Sequence, residues 1–102
     1  MADEPEVMGL HLKIRGRVQG VYFRRWAEEE ATRRGLRGWI RNRADGSVEA
    51  VIFGKLTAVR AMVKVCYQGP LKAKVDGIVE SPAEICPADE DLGESFIILP
   101  NV

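Results

Sequence analysis

Two incompatible hydrophobic periods meet in this chain, and the short stretch between them limits what it can fold into. Leu10, Leu12 and Ile14 alternate with His11, Lys13 and Arg15, the period of a half-buried strand. From Phe23 to Arg34, Phe23, Trp26, Ala27, Glu30, Ala31 and Arg34 recur at helical steps. Between the two runs lies Gly16-Arg17-Val18-Gln19-Gly20-Val21-Tyr22. Glycines there let backbone N–H groups turn inward by tolerating positive φ. The helix that follows adds free N–H groups and the positive end of its dipole. A concave nest for an anion is the expected result. Its donors are the backbone N–H groups of Gln19, Gly20, Val21, Tyr22 and Phe23, and the guanidinium of Arg24 supplies a planar clamp from the first helical turn. The reading is a phosphate cradle.

Later residues supply the rest of a sheet. Gly35 reads as the stop of the first helix, and Glu29–Arg33 and Glu30–Arg34 as supporting pairs along it. Residues 36–42 read as a second strand, 43–46 as a turn carrying Asp45-Gly46, and 47–53 as a third strand, together a hairpin. Lys55 to Tyr67 places Leu56, Val59, Met62, Val63 and Cys66 on one helical face, and Gln68-Gly69-Pro70 ends it. A fourth strand is expected over 71–75, an acidic loop over 81–93 and a short edge strand over 95–99. The order β-α-β-β-α-β with an extra strand predicts an α+β fold. Its antiparallel sheet of four to five strands would carry both helices on one face. The first two strands run parallel through a right-handed crossover, with the third between them. Asn42, at the carboxyl end of the second strand, then approaches the cradle.

Charge agrees with an anionic partner. The formal net charge is zero, yet ten of the basic residues fall between Lys13 and Arg43 against three acids, and none follows Lys74. Such a field can steer an anion to the first half. It does not make a nucleic-acid module, because the first and third strands lack the aromatic stripe that stacks bases. Cys66 and Cys86 lack metal-ligand spacing, and with no apolar leader in the acidic N-terminus both are expected as free thiols in the cytoplasm. Residues 1–8 read as a flexible tail and 9–102 as one domain, with no membrane span and no surplus apolar face, hence a monomer. His11, the only histidine, is expected as a bystander on the open side of the sheet.

These residues resemble a known family. Gly16-Arg17-Val18-Gln19-Gly20-Val21-Tyr22-Phe23-Arg24 resembles the first signature of the acylphosphatases. The stretch Gly38-Trp39-Ile40-Arg41-Asn42-Arg43-Ala44-Asp45-Gly46-Ser47-Val48-Glu49, with Gly54 beyond, resembles the second. The resemblance runs from about Leu10 to Val79. It implies the ferredoxin-like fold and hydrolysis of the carboxyl–phosphate bond of small acyl phosphates, with no metal or cofactor. It implies Arg24 and Asn42 as catalytic residues, and inorganic phosphate, or sulfate as its mimic, as an ion the cradle would hold. An acylphosphatase-like domain of a larger carbamoyl-handling protein is the related alternative, disfavoured by the lack of a cysteine-rich segment after the domain. Tyr22 stands at a variable position of the pattern, and the acidic segment from Ser81 to Glu94 matches nothing in it.

Overall fold

The computed structural model describes residues 6–83 and 96–102. Its elements are β1 (Val7–Arg17), α1 (Phe23–Arg33), β2 (Arg37–Asn42), β3 (Val48–Lys55), α2 (Leu56–Gln68), β4 (Lys74–Pro82) and β5 (Phe96–Ile98). The five strands form one sheet in the order β4-β1-β3-β2-β5. As expected, β3 lies between β1 and β2, pairing antiparallel with both; Ala50 stands opposite Leu12 on one side and Ile40 on the other. Leu12, Ile14, Ile40, Val48, Ala50 and Ile52 present one face of the sheet to Phe23, Ala27 and Ala31 of α1 and to Val59, Met62 and Cys66 of α2. Their burial removes apolar surface worth about 25 cal/mol per Å2 and is the main force closing the fold. Phe23 and Trp26 meet edge-on with ring centroids 5.2 Å apart, so Trp26 packs against the core as its period implied.

Helix α1 stops where glycine allows. Gly35, at φ 72°, sends its N–H to Thr32 O, and the N–H of Leu36 reaches Ala31 O. This is the Schellman closure, which uses carbonyls the helix leaves free. Along the helix Glu30 takes both arginines: Arg34 Nη1 lies 2.6 Å and Arg33 Nη2 2.8 Å from its carboxylate oxygens. The expected Glu29–Arg33 pair gives way to this fork, since Glu30 sits on the flank that both side chains can reach. Gly38 is required for another reason. A Cβ built there would lie 1.9 Å from the carbonyl oxygen of Val51, so β2 can approach β3 only with glycine at this position.

Two boundaries and one strand direction differ from the sequence reading. Strand β1 begins at Val7, because Val7 and Met8 already pair with Lys55 and Gly54, so the ordered edge takes in the last two residues of the expected tail. Strand β4 lies later than 71–75 and includes Ser81 and Pro82, which the reading gave to a loop. Leu71 is 97% exposed in the turn after α2, and its alternation with Ala73 and Val75 is accidental. The true pairing with β1 shifts register between Arg15 and Gly16, so that Gly77 faces Arg15 while Val75 faces Gly16. Asp76 is the extra residue of this bulge. The third correction concerns β5, which lies at an edge as expected but runs parallel to β2, making the sheet mixed rather than antiparallel throughout. Cys86 and most of the acidic segment lie outside the described residues. Among those described, no helix is long and apolar enough to cross a membrane.

Candidate active site

The end of β1, the start of α1 and the end of β2 meet at one end of the sheet. They enclose a cleft of about 290 Å3 lined by Val18, Gly20, Tyr22, Phe23, Arg24, Arg25, Asn42 and Ile98. The loop reaches this shape through two residues at positive φ: Gly20 at 73° and Tyr22 at 71°. Tyr22 is not glycine, and left-handed backbone costs such a residue about 1–2 kcal/mol. It sits at the N-cap of α1 with no side-chain cap bond, and its ring is exposed at the cleft mouth. Thus no N-cap side chain occupies the opening N–H groups of α1, and Phe23, Arg24 and Arg25 of that first turn line the cleft.

Arg24 stands in that first turn. Its Nη1 donates to Asn101 Oδ1 at 2.9 Å. Asn101 gets there because the chain beyond β5 continues along β2: Leu99 N–H donates to Ile40 O and Val102 N–H to Asn42 O. The carboxamide therefore restrains the guanidinium without cancelling its charge. Asn42 closes the cleft from the sheet side. It is 8% exposed, and its Oδ1 is buried without a hydrogen-bond partner among the described residues. A buried acceptor left unpaired costs about 1–3 kcal/mol. Such groups are rare in folded chains, and this one belongs to a residue that lines the cleft.

Of the residues that the sequence put at the phosphate, Gly20, Tyr22, Phe23 and Arg24 line the cleft together with Asn42. Val21 packs half-buried against the core. Gln19 directs its side chain to the β2–β3 turn, where Nε2 donates to Arg43 O and to Ser47 O, both at 2.8 Å. Sequence reasoning missed Arg25, Val18, Ile98 and Asn101. Val18 lies in the motif and Arg25 directly after it, so both could have been proposed from spacing; Ile98 and Asn101 carry no local signal.

Behind the turn a second cleft, about 390 Å3, is lined by Arg15, Gly16, Asp45, Gly46 and Ser47. Asp45 is committed there. It accepts from Ser47 N at 2.9 Å and Ser47 Oγ at 2.6 Å, and Lys13 Nζ lies 3.0 Å away. The two Ser47 bonds, with Lys13 beside them, hold its carboxyl well below the usual range. This cleft shows no unpaired buried acceptor among the described residues.

The open face of the sheet holds a different cluster. Glu49, 8% exposed, accepts from Arg41 Nε at 2.8 Å and Arg43 Nη1 at 2.9 Å, and His11 Nε2 lies 2.6 Å from its other oxygen. Arg41 also stacks over Trp39 at 4.8 Å. His11 is therefore no bystander, although it stands outside the cleft. Its sequence position alone could not reveal a partner 38 residues away. Burial raises the Glu49 carboxyl, but the hydrogen bonds from His11, Arg41 and Arg43 outweigh it, and the pKa is pushed down to about 2 from 4.5. The depressed value means that the folded chain gains stability from this group above about pH 4.5 and loses it as pH falls toward 2. Urea midpoints of the wild type and Glu49→Gln should accordingly lie well apart at pH 7 and converge across that window. A gap that stays constant with pH would refute the role of ionisation. Cys66 is free and buried, and burial pushes its thiol up to about 12, which removes it as a nucleophile.

The acylphosphatase family pattern matches residues 10–96. An acylphosphatase of Bradyrhizobium diazoefficiens is 47% identical over 97 residues, covering 91% of this chain and 95% of the relative. One from Azorhizobium caulinodans is 54% identical over 79 residues, 78% of this chain and 85% of its own. The chain belongs to the acylphosphatase family. The crystal structure of acylphosphatase from Bacillus subtilis superposes with a TM-score of 0.80 at 32% identity, covering 92% of this chain and 99% of that one. That acylphosphatase thus shares the fold of this chain. The cleft between cradle and Asn42 lies within the matched residues, whereas Ile98 and Asn101 lie beyond them.

Proposed function

We propose that Arg24, with the N–H groups between Gln19 and Phe23, holds the phosphoryl group of an acyl phosphate, and that Asn42 sets the water that attacks it. Membership of the family makes the chain an acylphosphatase, acting on small acyl phosphates; the roles of the residues are our reading. One observation carries it: Asn42, whose buried Oδ1 has no partner among the described residues, lines the same cleft as Arg24 and the uncapped start of α1.

An acyl phosphate is a mixed anhydride with a good leaving group, so the demand on the protein is positioning and charge stabilisation. Arg24 presents a forked cation that stays charged throughout. Asn42 Oδ1 accepts one hydrogen of a water and aims its oxygen at phosphorus, in line with the acyl oxygen. The new P–O bond forms as the bond to the acyl oxygen breaks. The carboxylate departs, and the water's proton passes to a phosphoryl oxygen. No base of the protein takes part. The cleft, about 290 Å3, suits a small substrate whose acyl group lies toward Tyr22 and Ile98. Free, buried Cys66 suits a cytoplasmic enzyme, and we take the working form to be the monomer.

The test is hydrolysis of benzoyl phosphate, followed by ultraviolet absorbance with EDTA present. Fast turnover in EDTA, with label from H218O appearing in phosphate and not in benzoate, is the expected result. Label in benzoate would place attack at carbon and overturn the water geometry. Phosphate binding without turnover would leave a binding module.

A further inference from the structure

The side chain of Gln19 has no place in the mechanism above, yet it makes the two hydrogen bonds that fasten the cradle to the hairpin. We infer that Gln19 is a positioning residue: its carboxamide fixes the distance between the phosphoryl group and the water held by Asn42. The inference rests on the proposed roles of Arg24 and Asn42.

Both hydrogens of one amide nitrogen are used. Nε2 donates to Arg43 O and Ser47 O, each at 2.8 Å. Those carbonyls already serve the turn, since Arg43 N–H donates to Ser47 O and Gly46 N–H to Arg43 O. Gln19 thus sits across the mouth of the turn and stiffens it at both shoulders. Arg43 is the residue after Asn42, so the tether acts one peptide from the water-orienting side chain. At its other end Gln19 adjoins Gly20, whose positive φ starts the cradle. Arg43 is held from a third side by Glu49, buried beneath it. A shift of the loop relative to Asn42 would leave phosphate bound and the water out of line. Errors of about 1 Å in such an arrangement can cost around 10²-fold in rate.

Glutamate is the informative replacement. It has the same shape but, ionised, offers no donor and faces two carbonyl oxygens. Protonated, it regains one O–H donor, and its carbonyl neighbours raise its pKa above the ordinary 4.3 or so. For Gln19→Glu we expect kcat near neutrality to fall by about 10–10²-fold, while inhibition by inorganic phosphate stays within roughly threefold of wild type. As pH is lowered toward 5, kcat of this variant should recover relative to wild type. Gln19→Leu should lose kcat to a similar degree without any recovery in acid. The rescue ties the effect to the donor bonds, and the loss of kcat with phosphate inhibition preserved is what a merely structural residue would not produce. Unchanged kcat in Gln19→Glu, absence of the rescue, or equal loss of kcat and phosphate affinity would each overturn the inference. If the wild type itself does not hydrolyse benzoyl phosphate, the proposed roles fall first and that of Gln19 with them.

Discussion

Arg24→Ala should lower kcat/KM for benzoyl phosphate by at least about 10³-fold, since removing even one preorganised donor from developing charge costs about 10²–10³. Arg24 is a charged fork rather than one donor. It lines the cleft from the first turn of α1, where the helix start already favours an anion. Both terms fail together without it. The uncapped N–H groups remain but lack a counter-charge. Arg24→Lys keeps the charge and loses the planar fork, so it too should fall by about 10²-fold or more. Inhibition by inorganic phosphate should weaken in both variants, because the same guanidinium binds product. The fold should survive: the Arg24 side chain is half-buried and bonded to Asn101 at 2.9 Å. A lysine variant with normal turnover would show that a point charge suffices and that the fork is not used.

Asn42→Ala is the second large effect, and it should separate activity from stability. Turnover is expected to drop about 10²–10³-fold with little change in phosphate inhibition, since the side chain acts on water. Stability is expected to hold or rise. Oδ1 is buried and unpaired, so its removal relieves a desolvation cost instead of breaking a bond. Few buried polar residues should behave this way; truncation of most leaves a partner stranded. Measuring kcat and the urea midpoint on the same preparation checks both halves. Turnover near the wild-type value would rule out the water role, and a large stability loss would mean that Asn42 has a structural partner.

Features of this fold show in the sequence to the extent that their signals are local. The loop before the first helix, that helix with its glycine stop and the hairpin were legible because each rests on residues within a turn of one another. Their assembly was legible too, since the crossover rule places β2 parallel to β1 and so brings Asn42 to the loop. Strand β4 was misplaced because a bulge at Asp76 brings Val75 and Ile78, three apart, to the same core, a spacing that alternation cannot register. The direction of β5 was hidden because three residues, Phe96–Ile98, carry no directional pattern. Glu49 carries no local signal of its role. Its three partners come from β1, β2 and the turn, so only the sheet reveals that it is their shared acceptor. Gln19 was assigned by its backbone alone, and the side chain's two bonds cross 24 and 28 residues.

The parallel pairing of β5 with β2 has a dynamic consequence. Only three residues of β5 pair there, and beyond them Leu99 and Val102 each give one N–H to β2. So short an edge segment belongs to the part of a fold that opens most readily. Asn101 is carried by it, so each opening also releases Arg24. Opening of this sheet edge would thus turn a braced guanidinium into a loose one. Amide exchange at Leu99 and Val102 would therefore serve as a clock for the bracing of Arg24.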